Sequence, residues 1–305
     1  MPEPTTAGQL RDRLRAQAEA QRAAFAATPG LSADTYQKLA DRAEALESAL
    51  RAAGLSDDDL APIADHRRTL RDVTRQLDGS ASSSVPPPNS AVYAAAIEVT
   101  ELTAIARSLK DASPVWREAI ASHVRAGGSP GAERLALSLA AVLRGSSVKL
   151  NLDAAAPVTA FTIDLGGWAA SFAFGSIGVD DASALSTSLQ TDGRTGMVVM
   201  DAGAAVTRAE GGMIRAADDR TLITAVGQRL ENLLVEKQPA LAAAVNTDHA
   251  FAAVAHATIA GLNVASSRLV FCECWRVVNL CDLDDPRIPR VKRFIGAIES
   301  SSTAR

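Results

Sequence analysis

The sequence predicts a mainly α protein with helical ends, a linker and a small β insertion. Alanine, the strongest helix former, supplies 61 of the 305 residues. Apolar residues recur three and four positions apart in the N-terminal and C-terminal parts of the chain, as they do on one face of a helix. In the segment 147–205 they alternate with polar residues instead, which is typical of strands.

The first 78 residues are expected to form three antiparallel helices, separated at Pro29-Gly30 and at Gly54. Their apolar stripe has two interpretations. It is the internal seam of a small bundle, or it is an arm that contacts another copy of the chain. Under the second interpretation, the oligomer contacts are Leu10, Leu14, Phe25, Tyr36, Leu39, Leu46 and Leu50.

A flexible linker is expected at residues 79–90, GSASSSVPPPNS. Serine and glycine favour flexibility, and three consecutive prolines favour an extended polyproline conformation. We therefore place a domain boundary here, with the helical arm or three-helix bundle at 1–78 before it. After it we expect a mainly helical core domain at 91–282 and a polar C-terminal tail at 283–305.

The core domain is expected to begin and end with helices. Serine followed by proline, a typical helix start, occurs at Ser113-Pro114 and Ser129-Pro130. After the β segment, Pro239 is expected to start a short alanine-rich helix, and the residues from Phe251 to Ile259 to mark another. The segment 268–280 is apolar on more than one face, so we expect it to be buried, as helix or strand.

Charge, cysteine content and hydropathy narrow the class of protein. The formal charge of -4 argues against coating nucleic acid through bulk charge, although it is compatible with a local basic groove. Cys272, Cys274 and Cys281 favour free thiols in a reducing compartment, and their spacing does not match a zinc site. We expect no metal and no cofactor. The chain has neither a signal-peptide pattern nor an 18-residue apolar run, so we expect a cytoplasmic or virion protein without membrane contact.

The candidate phosphate-binding residues are basic. Four of the seven residues in 287–293 are cations, and on an extended or proline-bound segment they would touch phosphates. The alternative is a solvated tail whose cations pair with Asp282, Asp284 and Asp285. Because aromatic residues are few, any such binding is expected to be independent of sequence. The expected nucleic-acid-binding set is Arg117, Arg125, Arg134, Arg144, Arg287, Arg290, Lys292 and Arg293.

One local pattern points to a different chemistry. The run Asp164-Leu165-Gly166-Gly167 resembles the first phosphate motif of the actin and sugar-kinase superfamily, in which such a turn joins two strands beside a nucleotide. The resemblance implies that the glycines approach a phosphate and that the aspartate organises a metal and a water. The chain has Trp168 where that family has threonine. The next candidate motif, at Asp201, follows too closely for an intervening subdomain, which makes a tight hairpin turn the simpler interpretation.

These features favour self-assembly over catalysis. The sequence contains no nucleophile elbow, Walker loop or dinucleotide fingerprint, so we expect no enzymatic activity. The composition is similar to that of the proline/alanine/serine-rich coat proteins of some fungal RNA viruses, although no aligned motif is shared. We expect a structural protein, like a viral coat or nucleocapsid subunit, whose partners are its own copies and a nucleic acid, RNA being favoured. The alternatives are a cytosolic nucleotide-binding enzyme with a phosphate turn at Asp164–Gly167 and a helical adaptor protein.

Overall fold

A computed structural model gives the architecture of the chain. It describes residues 33–78, 91–109, 114–126, 131–144, 146, 148–153, 155–177, 179–208, 214–266, 268–282, 284–299 and 303–304. Within these residues, helices cover both faces of a mixed eight-stranded sheet. The mainly α prediction is therefore wrong, because the sheet forms the centre of a mixed α/β fold and not a small insertion.

Nine α-helices and eight strands alternate irregularly in the described residues. The helices are α1 (Ala33–Ala52), α2 (Ala61–Asp78), α3 (Ala91–Leu109), α4 (Pro114–Arg125), α5 (Ala132–Arg144), α6 (Val179–Thr191), α7 (Gly203–Thr207), α8 (Asp219–Ala244) and α9 (Ile288–Glu299). The strands are β1 (Lys149–Asn151), β2 (Thr162–Asp164), β3 (Ala169–Ser176), β4 (Gly196–Asp201), β5 (Ile214–Ala216), β6 (Ala250–Asn263), β7 (Arg268–Asn279) and β8 (Thr303–Ala304).

The sheet joins an antiparallel meander to a parallel centre and a long antiparallel hairpin. Its strand order is β1-β2-β3-β4-β6-β7-β8. Strands β3, β4 and β6 are parallel to one another, whereas β1, β2 and β3 form the meander, and β6, β7 and β8 are antiparallel. On one side of β6, β4 pairs with its first half and β5 pairs with Gly261–Asn263. A gap in the pairing therefore lies beside β6 at the carboxyl end of β4.

The two longest strands correct the prediction for 251–280. The residues from Phe251 to Ile259, expected in a helix, lie in β6, which pairs with β7 from Ala252↔Asn279 to Asn263↔Arg268. Both faces of β6 are buried, and a strand that is buried on both faces shows no alternation of apolar and polar residues. For 268–280, the prediction left helix and strand open, and the structure has a strand.

Two more helices differ from expectation. Pro239 does not start a helix but lies inside α8, whose first turn is capped at Asp218, where the carboxylate accepts the N–H of Thr221 at 2.7 Å. The segment predicted as a polar tail contains α9. That helix is amphipathic, and its buried residues, three and four positions apart, are Ile288, Val291, Phe294 and Ile298.

Helix predictions for 33–144 are confirmed wherever the structure describes the chain. Helix α1 ends just before Gly54, and α4 begins at Pro114. Helix α2 packs on α3, where Nε2 of His66 lies 3.1 Å from Oε2 of Glu98. The first predicted helix and the linker at 79–90 lie outside the described residues, so the domain boundary stays a prediction.

The helices form a layer on each face of the sheet. On one face, side chains of α1 to α5 and α9 share a hydrophobic cluster with β2, β3, β6 and β7. Its aromatic centre includes Phe161, Phe172 and Phe174, whose ring centroids lie 5.0 to 6.0 Å apart. On the other face, α6, α7 and α8 form a second cluster with β4 to β7. Because β6 contributes to both clusters, both helical layers pack against the same strand.

The close pairing of β3 and β4 gives a stability prediction. A Cβ at Gly196 would overlap the carbonyl oxygen of Ser171 on the neighbouring strand, whereas a Cβ at Gly296, on the exposed side of α9, would meet open space. We expect Gly196→Ala to lower the free energy of unfolding by about 1–3 kcal/mol through overpacking. We expect Gly296→Ala to raise it by about 0.5–1 kcal/mol, since alanine suits a helix better. Urea unfolding curves compare the two variants, and equal midpoints would contradict the strand pairing.

Candidate functional site

Helix α9 presents three of the predicted phosphate-binding residues. Arg290, Lys292 and Arg293 are exposed, and we call them the basic face of α9. Among the residues that the structure describes, none of the three has an acidic partner. The cations therefore lie on a helix and not on the extended segment that was expected. The guanidinium carbon of Arg290 lies 5.8 Å from the ring centroid of Trp168.

The Asp164–Gly167 motif forms the tight turn between β2 and β3. Gly166 and Gly167 have φ angles of 76° and 84°, in the left-handed region that favours glycine. Oδ1 of Asp164 accepts the N–H of Gly167 at 2.6 Å, so this carboxylate closes the turn. The other proposed motif, at Asp201, pairs with Ser176 at the far end of β3, about 23 Å away along the strand. The two motifs therefore do not come together.

Arg287 makes contacts inside the chain. Its Nε and Nη2 donate to the two oxygens of Asp285 at 2.8 and 2.5 Å, and its Nη1 donates to the carbonyl of Asp248 at 3.1 Å. The guanidinium also lies over the ring of Phe251, 5.3 Å from the centroid. The hydrogen bonds from Arg287 lower the pKa of Asp285 to about 2. Arg287 thus ties the start of α9 to the sheet, and its charge is already neutralised.

The remaining predicted cations are dispersed over α4 and α5. Nη1 of Arg125 lies 2.7 Å from Glu118, and its Nε lies 3.5 Å from Asp59. The side chain of Arg134 is only 17% exposed, and its Nε lies 3.2 Å from Oε2 of Glu101. Arg117 and Arg144 are exposed on these two helices. Of the eight predicted residues, three share the basic face of α9.

The described residues predicted for oligomer contact are buried within the chain. Tyr36, Leu39, Leu46 and Leu50 are at most 5% exposed and belong to the cluster that α1 shares with α2 and α3. Leu10, Leu14 and Phe25 lie outside the described residues. On the part of the surface that the structure describes, Val235 is the one large hydrophobic residue that is strongly exposed.

Two of the cysteines face the opposite side of the sheet from His256. Cys272 and Cys274 are buried in the cluster on the α8 side of β7, and Cys281 follows that strand. Burial raises the pKa of Cys272 to about 12, so its thiol stays protonated at neutral pH. Within the described ranges, no three histidine, cysteine or acidic side chains are placed to hold a metal ion.

A set of buried polar side chains lies between the sheet and helices α3 and α5, and of these only Arg134 was in the expected nucleic-acid-binding set. Strand β6 contributes His256 and Thr258, β7 contributes Glu273, α3 contributes Glu101 and α5 contributes Arg134. We call these five residues the buried polar cluster. Carboxylates and histidines are rarely buried unless they have partners, and such groups concentrate at functional sites.

Contacts within the cluster centre on the imidazole of His256. Its Nε2 lies 3.1 Å from the hydroxyl of Thr258 and 3.8 Å from Oε1 of Glu273. The indole of Trp275 stacks on the imidazole with centroids 4.1 Å apart, and its N–H donates to Glu273 at 3.2 Å. Within the described residues, Nδ1 of His256 makes no hydrogen bond. These contacts fix the ring and leave one of its nitrogens unused.

Glu101 is the least satisfied member of the cluster. Its Oε2 is buried and accepts no hydrogen bond from the described residues, because the N–H of Arg134 lies within ion-pair distance but is not directed at it. Burial raises the pKa of Glu101, and the nearby charge of Arg134 offsets only part of that effect. Oε2 of Glu101 therefore has an ion-pair partner but no well-directed hydrogen bond, so it can accept one from a ligand.

A small cavity of about 20 Å³ lies within the cluster, with room for about one water molecule. Ser138 and the exposed residues Gly131 and Asp201 also line it. It lies at the carboxyl end of β4, beside the gap between β4 and β5. In open α/β sheets, ligands typically bind in the crevice at the carboxyl ends of parallel strands.

The sequence carried a signal for this cluster. His256 and Glu273 are the single histidine or acidic residues within two apolar runs, a pattern that indicates burial with a partner, whereas Glu101 lies among other polar residues and gives no such signal. The sequence could not show that residues so far apart along the chain meet, because that depends on the order of the strands.

No protein-family model, curated protein or solved structure matches this chain. None of the described helices is long and apolar enough to cross a membrane. Function is therefore inferred from two features, the basic face of α9 and the buried polar cluster.

The Arg287–Asp285 pair gives a pH prediction. We expect Asp285→Asn to lower the free energy of unfolding by about 1–2 kcal/mol at pH 7, because an ionic hydrogen bond is lost. The pKa of Asp285 is lowered in the fold, to about 2, so the stabilisation is present above the ordinary aspartate value and lost as the pH falls towards 2. Denaturant unfolding at pH 7 and pH 3 checks this.

The matched control for that experiment is Asp284→Asn, which removes the same charge one residue away. Asp284 is exposed and has no partner among the described residues. We expect it to leave stability unchanged at both pH values. A difference between wild type and Asp285→Asn that grows on acidification would contradict the assigned pair.

Proposed function

We propose that this chain binds the phosphate backbone of a nucleic acid through the basic face of α9. The observation that carries the proposal is that Arg290, Lys292 and Arg293 lie exposed on one helix without acidic partners among the described residues. Cations that are already paired must give up a partner before they bind phosphate, whereas these need not. The neighbouring Arg287 is excluded because Asp285 neutralises it.

The arrangement favours backbone contact over base recognition. Arg290 and Arg293 are three positions apart, so they lie side by side on the helix surface. Arginine also suits phosphate because its guanidinium makes paired hydrogen bonds. Trp168 is the aromatic residue beside Arg290. Its ring packs on Phe251 with centroids 4.9 Å apart, so it is not free to stack on a base. Binding is thus proposed to be independent of sequence and to involve no chemical step.

The expected affinity is modest and depends on salt. About three phosphate contacts give a slope of log K against log salt near -2.7 for a duplex. The net charge of -4 repels nucleic acid at long range. Binding therefore requires a local cationic face. Such binding requires a compartment that contains nucleic acid, and the sequence suggests the cytoplasm or a virion.

Self-assembly stays part of the proposal but now depends on residues outside the described ranges. The described members of the predicted contact set are buried, so Leu10, Leu14 and Phe25 are left to make contacts between copies. Light scattering of the full chain and of Leu10→Asp/Leu14→Asp tests this. We expect large species for the full chain only, and a monomeric full chain would remove self-assembly from the proposal.

The binding test compares two double variants by fluorescence anisotropy. Arg290→Ala/Arg293→Ala removes two charges from the basic face of α9. We expect at least a tenfold loss of affinity for labelled duplex RNA at about 50 mM salt, which is about 1.4 kcal/mol. We also expect a salt slope that is less steep by about 1.8, from two lost phosphate contacts.

Arg220→Ala/Lys237→Ala is the matched control, because it removes two charges from α8 on the opposite face of the sheet. We expect this variant to bind like wild type. Equal losses in both double variants would point to bulk charge and contradict the assignment to α9. Single-stranded RNA and duplex DNA as further probes show whether RNA is preferred.

A further inference from the structure

We propose that the buried polar cluster binds the primary ammonium group of a small amine. The site is the cavity at the carboxyl end of β4, lined by Glu101, His256, Thr258 and Asp201. It is distinct from the basic face of α9, and the proposal does not depend on nucleic-acid binding.

The side chains around the cavity offer more unused hydrogen-bond acceptors than donors. Oε2 of Glu101 accepts no hydrogen bond from the described residues, Nδ1 of His256 is an acceptor when the ring proton is on Nε2, and the hydroxyl of Thr258 has lone pairs to offer. Asp201 uses one oxygen to accept the N–H of Gly203 at 2.9 Å, which leaves its other oxygen for a ligand. An ammonium group has three donors and no acceptor, so it complements this set.

The balance of charge favours a cation as well. Two carboxylates, those of Glu101 and Asp201, line the cavity together with Arg134, the one permanent cation among its lining residues. A buried carboxylate is stabilised by nearby positive charge. Burial raises the pKa of Glu101 although Arg134 lies beside it, so one guanidinium does not fully offset the burial of the carboxylate. An ammonium group in the cavity would favour the charged form of Glu101, so ligand and proton compete.

The size and position of the cavity limit which amines can bind and where their substituents leave. Its volume of about 20 Å³ admits a group as large as water, and an ammonium head is of that size. A quaternary ammonium is too large and has no N–H to donate. Asp201 and Gly131 are exposed, so the substituent of the amine would leave the cavity between β4 and the start of α5.

Titration with methylammonium chloride tests the proposal, with sodium chloride used to keep the ionic strength constant. The readout is the set of side-chain NMR signals of the four histidines, of which His256 is assigned through His256→Gln. We expect the His256 signals to shift in a saturable way, while those of His66 stay fixed. Calorimetry in two buffers of different ionisation enthalpy should show that binding releases a proton, as competition at Glu101 requires.

Matched variants locate the site. We expect Glu101→Gln to weaken methylammonium binding at least tenfold and to abolish proton release. Asp201→Asn, at the exposed mouth, should weaken binding too, and it keeps the test valid if the first variant fails to fold. Asp181→Asn, which removes an exposed acid on α6, should bind like wild type.

Two outcomes would overturn the assignment. One is the absence of any His256 shift up to roughly 0.1 M methylammonium, where a site with a Kd of about 0.1 M is half filled. The other is equal binding of tetramethylammonium or potassium, since neither offers an N–H donor. Affinity that does not fall as the pH is lowered would contradict the competition between ligand and proton at Glu101.

Discussion

The burial of β6 on both faces is the constraint on which the rest of the structure depends. Its side chains reach both hydrophobic clusters, so α8 on one face and α3 to α5 on the other are positioned against the same strand. Small residues make this close packing possible. A Cβ at Gly261 would lie 2.5 Å from Cδ2 of Leu222, so glycine is required where α8 crosses the strand. The high alanine content therefore reflects a thin, densely packed sheet as much as helix formation.

That constraint explains which elements the sequence could predict. Helices α1, α2 and α4 bury mainly one face, and their apolar residues keep a helical period that can be read without knowing their neighbours. Strand β6 buries both faces, so alanines fill much of it without any period. The spacing of Phe251, Val254 and Ile259 then suggested a helix that does not exist. Helix α9 could have been predicted, because the apolar residues Ile288, Val291 and Phe294 follow one another at intervals of three within the charged segment.

The sequence pointed to one of the two candidate sites but could not assemble the other. The three cations on α9 lie within four residues of sequence, so the local sequence alone drew attention to them. Composition could not separate Arg287 from the others, because its pairing with Asp285 and its contact with Phe251 depend on how α9 meets the sheet. The buried polar cluster is nonlocal throughout. Glu101 and His256 meet only because α3 packs against β6 near the last residue of β4.

The polarity of the parallel strands keeps the two sites apart. The basic face of α9 lies beside the β2–β3 turn, at the amino end of β3, whereas the buried polar cluster lies at the carboxyl end of β4. Along β6, Phe251 and His256 are five residues apart, a span of about 17 Å. A strand packed on both faces cannot shift without repacking two layers at once. The strand that supports both sites therefore favours independent binding at each, and communication between them would require a movement that this packing opposes.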